Sequence, residues 1–366
     1  MQRACSASMT GWGAPVPVDA LIDAQRRRQP DPMSDLSDIA HGLEGVARAI
    51  AGPDARPTAL RRLSGGASQE TWSFDIETGD QSRGYILRRA PGGVAIGASA
   101  QSIGLETEAR VIRAAIASGS PAPPVAHVCT EVDGLGAAYV MERIPGETIA
   151  RKILRDERFE KARPVLASQC GRALARIHAT PADALPPLPF SGAHEQLDRY
   201  EEVYRSFDTP RPIFDLAFKH LRERAPTPLM TTLVHGDFRL GNIMVGPEGL
   251  VAALDWELAH VGDPTEDLSW ICMPSWRFGQ MDNPVGGFGT VEDLLAGYRE
   301  AGGDRRIDAD LVRWWTIFGS LKWGVMCLTM FRAFESGADP SVERAAIGRR
   351  ASETELDLML MLTGRL

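Results

Sequence analysis

The sequence predicts an α+β fold with two lobes, a small lobe built on an antiparallel β-sheet with one helix and a larger, mainly helical lobe. Strand-like runs fill much of the chain before residue 144, whereas helical apolar spacing dominates after residue 146. With 366 residues, 44% of them hydrophobic, the chain is long enough to bury two cores. We therefore expect a flexible tail over residues 1–34, an N-terminal lobe over 35–144 and a C-terminal lobe over 145–366.

The small lobe is predicted from alternating apolar runs with a single helix inserted after the third strand. Residues 35–50 carry apolar side chains at helical spacing and precede the sheet. The inserted helix covers residues 102–117 and ends where the run PAPPV cannot continue it. Two strands are expected within 60–77, one on each side of a glycine-rich turn. Three more are expected at 84–89, 124–128 and 137–144.

The larger lobe is predicted from helical spacing that resumes beyond the Pro-Gly pair at 145–146. One strand–loop–strand segment interrupts these helices, and the turn GPEG at 246–249 joins its two short strands as a hairpin. The expected helices cover 147–155, 160–179, 194–206 and 212–224, and then run with interruptions from about 264 to the C-terminus.

Composition excludes several classes of function. A formal net charge of -8 and a pI near 5.5 give no electrostatic footprint for nucleic acid or for an anionic membrane. No stretch approaches the roughly 18 consecutive apolar residues that a membrane helix needs. The five cysteines are scattered, without a CxxC pair, which is typical of neither a disulfide framework nor a zinc site. We therefore expect a cytoplasmic protein.

Polar residues occur at the ends of two short apolar runs, where strand propensity disfavours aspartate. The run LVHGDFRLGNIMV contains Asp237 and Asn242, and Asp255 follows the hairpin in AALDWE. Ordinary turn chemistry is one explanation, because Asp and Asn are common loop residues. The spacing also matches the phosphoryl-transfer arrangement, in which a loop Asp orients the attacking hydroxyl while an Asn and a second Asp hold Mg²⁺.

These motifs resemble those of the aminoglycoside phosphotransferase and choline kinase-like family, whose members are related to the protein kinases. The resemblance rests on HGDFRLGN, LDWE and GDPTEDL and extends from about residue 58 to 340. With MERIPG it is nearest to the branch related to the kinase-like domains fused to some acyl-CoA dehydrogenases. The resemblance implies a bilobal protein-kinase-like fold, ATP as the phosphate donor, Mg²⁺, and a small-molecule substrate with a hydroxyl group.

The resemblance also implies roles for individual residues. Asp237 would be the catalytic base, and Asn242 and Asp255 would be the Mg²⁺ ligands. His235 is expected to pack within the loop. Asp263 and Asp267 are expected to cap a helix and to brace the loop through its backbone amides. A role for the glutamate of LDWE at the second metal stays open.

The small lobe should supply a cation to the phosphates, and no lysine precedes residue 152. Arg88, in YILRRAP, aligns with the cationic position of the family, and a guanidinium binds phosphate bidentately. Its acidic partner should lie on the helix at 102–117. Glu108 shares the apolar stripe of that helix, whereas Glu106 faces Arg110 as in an ordinary surface pair. We therefore expect Glu108 to be the partner.

Two backbone segments are expected to contact the nucleotide. The glycine-rich turn between the first two strands could cover the phosphates with its amides, although a simple hairpin turn explains its composition equally well. Its residues are Ser64, Gly65, Gly66, Ala67 and Ser68. Met141, Glu142 and Arg143 are expected to form the hinge between the lobes, with backbone groups that bind adenine.

Three functions remain open from sequence. An ATP-dependent small-molecule kinase is favoured over a nucleotide-binding pseudokinase, since no catalytic carboxylate is lost, and over a metal hydrolase, which needs more ligands than this region offers. The acceptor could be an aminoglycoside or an amphipathic or anionic compound such as a hydroxyacyl-CoA. The second choice rests on a late cluster of tryptophans and cations, although core positions for most of the tryptophans and surface positions for the cations are favoured. These residues are Trp270, Trp276, Trp314, Trp315, Trp323, Arg277, Arg332 and Lys322.

Overall fold

A computed structural model of the chain describes residues 32–63, 69–93 and 102–366. Its small lobe is a five-stranded antiparallel sheet with strand order β1-β2-β3-β5-β4. Its strands are β1 (Arg56–Arg62), β2 (Glu70–Thr78), β3 (Gln81–Arg89), β4 (Val125–Val128) and β5 (Ala138–Glu142). Two helices accompany the sheet, α1 (Pro32–Ala51) and α2 (Leu105–Ala117). As predicted, α2 is inserted after the third strand.

The two helices cover opposite faces of the sheet, because successive strand residues point to opposite sides. Val140 of β5 packs in one cluster with Leu43 of α1. The preceding residue, Tyr139, packs instead with Ile112 of α2. Helix α1 begins at Pro32, within the segment predicted as a tail, while residues 1–31 lie outside the described part of the chain.

The larger lobe is mainly helical and carries the predicted hairpin. Its helices are α3 (Ala150–Arg155), α4 (Arg163–His178), α5 (Ala193–Arg205), α6 (Pro212–Glu223), α7 (Thr265–Trp270), α8 (Val291–Glu300), α9 (Ala309–Glu335), α10 (Val342–Gly348) and α11 (Ala351–Leu362). Its strands are β6 (Phe190–Ser191), β7 (Thr232–Val234), β8 (Ile243–Gly246), β9 (Gly249–Ala253) and β10 (His260–Gly262). Strands β8 and β9 form the hairpin, and the others form a small sheet of order β6-β10-β7. Among the described residues, no helix is both long and apolar enough to span a membrane.

Helices α4 and α8 meet along a seam of direct backbone contact. A Cβ atom added to Gly171 of α4 would overlap the carbonyl oxygen of Leu294, and one added to Gly297 of α8 would overlap that of Ser168. Only glycine permits this approach, since any side chain would separate the helices. Helix α4 ends at His178, a residue that contacts the candidate site described below.

Candidate active site

The loop between β7 and β8 is shaped by a glycine and a buried histidine. Gly236 has a φ of 83°, and a Cβ there would collide with the carbonyl oxygen of Leu258. His235 is fully buried, and its ring lies 4.6 Å, centroid to centroid, from that of Trp256 in LDWE. Burial outweighs the neighbouring carboxylates and lowers the pKa of His235. The packing role expected for His235 therefore agrees with its surroundings.

Asp267, on α7, anchors the backbone of this loop. Its carboxylate accepts hydrogen bonds from the N–H groups of His235 at 2.8 Å and Gly236 at 2.9 Å. It also lies 3.0 Å from Nε2 of His178, whose Nδ1 lies 3.0 Å from the hydroxyl of Tyr298. Burial alone would raise the pKa of Asp267, but the hydrogen bonds and the contact with His178 lower it. The carboxylate thus stays ionised and fixes the loop.

Three donors orient the carboxylate of Asp237. They are Nδ2 of Asn242 at 2.5 Å, Nε1 of Trp270 at 2.6 Å and Nε of Arg239 at 3.0 Å. An ionised carboxylate offers about four acceptor positions, so roughly one is left for a further donor. The side chain is 15% exposed. Asp237 can therefore accept one hydrogen bond from a hydroxyl in the cleft.

Asp255 and Asn242 are brought together by the backbone. The N–H of Leu254 donates to the carbonyl oxygen of Asn242 at 2.7 Å, which ties the end of β9 to the loop. Asp255 itself has a φ of 65°, a left-handed conformation that Asp tolerates better than most residues and that concentrates at functional sites. Because the NH₂ of Asn242 donates to Asp237, its amide oxygen faces away from that carboxylate. The carboxylate of Asp255 and the amide oxygen of Asn242 are thus carried by two segments that the backbone holds together.

Arg88 joins the two lobes at this point. Its Nη2 lies 2.9 Å from Oδ1 of Asp255 and 3.7 Å from Oε1 of Glu108. Glu108 is fully buried and also accepts from the hydroxyl of Tyr139 at 3.0 Å. Burial raises the pKa of Glu108, although the charge of Arg88 opposes that shift. The structure brings Arg88 and Glu108 together as expected, whereas Glu106 is exposed.

Gln69 is a residue of this cluster that the sequence did not indicate. Its Oε1 accepts from Nε of Arg88 at 2.8 Å, and its Nε2 donates to Oε2 of Glu257 at 3.0 Å. The amide therefore connects the small lobe to LDWE. The sequence gave no indication of this role for Gln69, because a polar residue directly after a glycine-rich turn is already explained by the turn. The five turn residues predicted to cover phosphates, 64–68, lie outside the described residues.

The expected hinge residues lie at the end of β5, where some of their backbone groups are already used. The N–H groups of Glu142 and Arg143 donate to the carbonyl oxygens of Pro124 and Gly84, each at 2.9 Å. These two donors are therefore not available to adenine, since the segments before β4 and within β3 already accept from them. Met141 of β5 pairs with Ile86 of β3 on one side and with Val125 of β4 on the other. Any adenine contact at this hinge would have to use carbonyl groups or later residues.

A cleft of about 630 Å³ runs from Asp237, Asn242 and Asp255 along the helical lobe. Trp270, Trp276 and Trp323 line it beside Lys322, as the sequence had suggested for this cluster. The other residues of that cluster do not line the cleft, which agrees with the core and surface roles favoured for most of them from sequence. Trp314 and Trp315 are buried in the helical core, Arg277 is buried and donates to the carbonyl of Cys272, and Arg332 donates to the carbonyl of Ser206 outside the cleft.

Lys322 is bound to a buried glutamate in the wall of the cleft. Its Nζ lies 2.8 Å from Oε1 of Glu266, whose other oxygen lies 2.6 Å from Nε2 of Gln196 and 3.1 Å from Nε2 of His260. Burial would raise the pKa of Glu266, but Lys322 and His260 lower it strongly. The lysine charge is thus neutralised inside the protein.

A two-lobed fold with this carboxylate, amide and guanidinium cluster in its cleft defines a phosphotransferase of the protein-kinase-like class. Residues 59–303 match the model of the phosphotransferase enzyme family (APH), and the chain belongs to this family.

Known relatives agree with this assignment. Acyl-CoA dehydrogenase family member 10 of Mus musculus is 30% identical over 263 residues, covering 66% of this chain and 24% of that protein. The chain spans about a quarter to a third of the length of the curated relatives it matches first.

Solved structures show the same fold. A choline/ethanolamine kinase family protein from Mesorhizobium loti superposes with a TM-score of 0.60 at 21% identity, covering 90% of this chain and 95% of that one. Spectinomycin phosphotransferase, solved with ADP and spectinomycin, superposes with a TM-score of 0.58 at 14% identity, covering 88% of this chain and 98% of that one. These likenesses confirm the predicted bilobal protein-kinase-like fold.

Proposed function

We propose that this protein transfers the γ-phosphate of ATP to a hydroxyl group of a small molecule that is not an aminoglycoside. The observation that carries the proposal is the convergence of Asp237, Asn242, Asp255 and Arg88 at one end of the cleft. The ADP in the structure of spectinomycin phosphotransferase supports ATP as the donor. The intact catalytic carboxylates argue against a pseudokinase.

The donor set fits a hard divalent cation. Asp255 is 31% exposed, and with the amide oxygen of Asn242 it offers the oxygen ligands that Mg²⁺ prefers. When bound there, Mg²⁺ would neutralise charge on the donor phosphates. Arg88 would exchange its contact with Asp255 for a phosphate oxygen, since both partners are anionic and a guanidinium suits either.

Asp237 carries the proton chemistry in this proposal. Its remaining acceptor position would orient the acceptor hydroxyl toward the γ-phosphorus. The bond between that phosphorus and the bridging oxygen of ADP breaks, a bond to the hydroxyl oxygen forms, and Asp237 takes the hydroxyl proton. The three donors around Asp237 hold it in place for this step.

The cleft supports an acceptor other than a polycation. An aminoglycoside needs several unpaired acids, yet Glu266 is neutralised by Lys322 and three arginines, at 199, 239 and 344, line the same space. The tryptophan wall favours a compound with an apolar body. Similarity to an acyl-CoA dehydrogenase family member supports including hydroxyacyl-CoA thioesters among the candidates.

The proposal is tested by incubating the protein with ATP, Mg²⁺ and a panel of aminoglycosides, simple alcohols and hydroxyacyl-CoAs, with the phosphorylated product detected by mass spectrometry. We expect transfer to a hydroxyl compound outside the aminoglycosides. Asp237→Ala should abolish transfer but keep ATP affinity, whereas Asp310→Ala, an exposed acid on α9, should leave both unchanged. Full turnover by Asp237→Ala would refute the assignment, and transfer to aminoglycosides alone would refute the acceptor class.

A further inference from the structure

The basic residues of the cleft differ in whether their charge is already used. Four arginine and lysine residues are among those that line it: Arg199, Arg239, Lys322 and Arg344. Arg239 is paired with Asp237 at 3.0 Å, Lys322 with Glu266 at 2.8 Å, and Arg344 with Asp339 at 2.8 Å. Each of these three is therefore engaged by a carboxylate of the protein.

Arg199, on α5, is the exception. Among the described residues it has no carboxylate within ion-pair distance, and its Nε is buried without a hydrogen-bond partner. Its guanidinium carbon lies 5.3 Å from the ring centroid of Tyr200, so the aromatic face holds it against the wall. Guanidinium donors in proteins are usually hydrogen-bonded, so Arg199 keeps donor capacity and a charge that the described residues leave unused beside the cleft.

The charge around Arg199 also favours an anion. Lys322 lies close enough for the charge of Arg199 to oppose its own, although Glu266 neutralises the lysine. Tyr200 lies between them, with Nζ of Lys322 at 5.7 Å from its ring centroid. An anionic ligand group beside Arg199 would relieve this repulsion and satisfy the unused donors.

The cleft that Arg199 lines also has apolar side chains, although Glu343 lines it as well. The same wall is formed by Trp323, Met326, Met330 and Ile347, with methionines that adapt to irregular ligands. A ligand crossing from Asp237 to Arg199 would therefore present a hydroxyl group, an apolar body and an anionic group.

We infer that Arg199 is a specificity-determining residue and that the acceptor carries an anionic group, a carboxylate or a phosphate ester, which this guanidinium binds. The inference rests on the proposed function for the hydroxyl end of the acceptor. A guanidinium can bind either anion bidentately, so both sources share one chemistry.

The test measures binding rather than turnover, so that it does not depend on transfer. Titration calorimetry on the full chain, saturated with Mg²⁺ and a non-hydrolysable ATP analogue, compares two matched pairs of ligands. One pair is a hydroxy fatty acid and its methyl ester, and the other is a hydroxyacyl-CoA and the neutral N-acetylcysteamine thioester of the same acid. The analogue keeps the nucleotide part of CoA out of the ATP site.

We expect the wild type to prefer the anionic member of at least one pair, and that pair identifies the source of the anion. Arg199→Gln should reduce this preference roughly tenfold or more, because a charge-assisted hydrogen bond is lost. Arg199→Lys should retain much of it. Arg332→Gln, outside the cleft, should have no effect and serves as the matched control.

Two results would overturn the inference: no preference for either anionic member in the wild type, or an unchanged preference in Arg199→Gln. The acceptor panel above, run separately, tests the proposed function. If the binding preference holds while no acceptor is phosphorylated, the proposed function fails and the anion subsite stands.

Discussion

Breaking the ion pair in the cleft wall should destabilise the protein strongly. In Lys322→Met, the buried carboxylate of Glu266 loses its nearest cation, which lies at 2.8 Å with a side chain only 12% exposed. Removing one partner of a buried pair costs roughly 3–5 kcal/mol. His260 and Gln196 remain in contact with Glu266, so we expect about 3 kcal/mol, the lower end of that range. Urea unfolding followed by tryptophan fluorescence measures this loss.

A second variant and a surface control separate charge from packing. Lys322→Met combined with Glu266→Gln removes both charges and should recover at least half of the lost stability, because no unpaired ion stays buried. Lys219→Met removes an exposed lysine that lies 4.0 Å from Glu223, and should cost less than about 1 kcal/mol. The reasoning fails if Lys322→Met unfolds at the wild-type urea concentration, or if the double variant is as unstable as the single one.

Three further predictions concern the site and its pH dependence. Asp255→Ala should remove the part of ATP affinity that depends on Mg²⁺, and equal affinities of this variant and the wild type in calorimetry with Mg²⁺ would contradict the assignment. Gln69→Ala removes the acceptor of Arg88 Nε and should lower kcat roughly tenfold with a smaller change in KM, whereas unchanged steady-state kinetics would exclude a positioning role. Burial lowers the pKa of His260, but Glu266 raises it above its ordinary value of 6.5. The contact therefore stabilises the fold below that value, and this stability is lost as pH rises through the raised pKa. His260→Gln should therefore cost more stability at about pH 6 than at about pH 9, and an equal loss of unfolding free energy at both would contradict this sign.

The elements of the fold could be predicted from local sequence patterns, because the spacing of apolar residues within a segment depends on whether that segment is a helix or a strand. The hairpin was predictable from GPEG between two apolar runs, and α4 from the apolar spacing of Leu166, Cys170 and Leu174. The pairing of Arg88 with Glu108 followed from the face that each residue presents on its own element. In these cases the period of one strand or one helix decides the direction of the side chain.

Contacts between distant segments were not predictable in the same way. Trp270 donates to Asp237 from thirty-three residues away, and Gln69 contacts Glu257 across the lobes, so their roles depend on how the elements pack. Arg277 was expected near the cleft because of its charge, but the carbonyl of Cys272 binds it inside the protein. A sequence pattern does not contain these separations, because tertiary packing sets them.

The close packing of α4 against α8 should influence the position of the loop that carries Asp237. His178 is the last residue of α4, and its ring contacts both Tyr298 of α8 and the carboxylate of Asp267. That carboxylate in turn accepts the backbone N–H of His235, in the loop that carries Asp237. A methyl group introduced at Gly171 or Gly297, neither of which lines the cleft, would push the two helices apart. Substitution of Gly171 or Gly297 should therefore lower turnover although neither residue contacts the cleft. A search for inactivating substitutions that is confined to the cleft would overlook both positions.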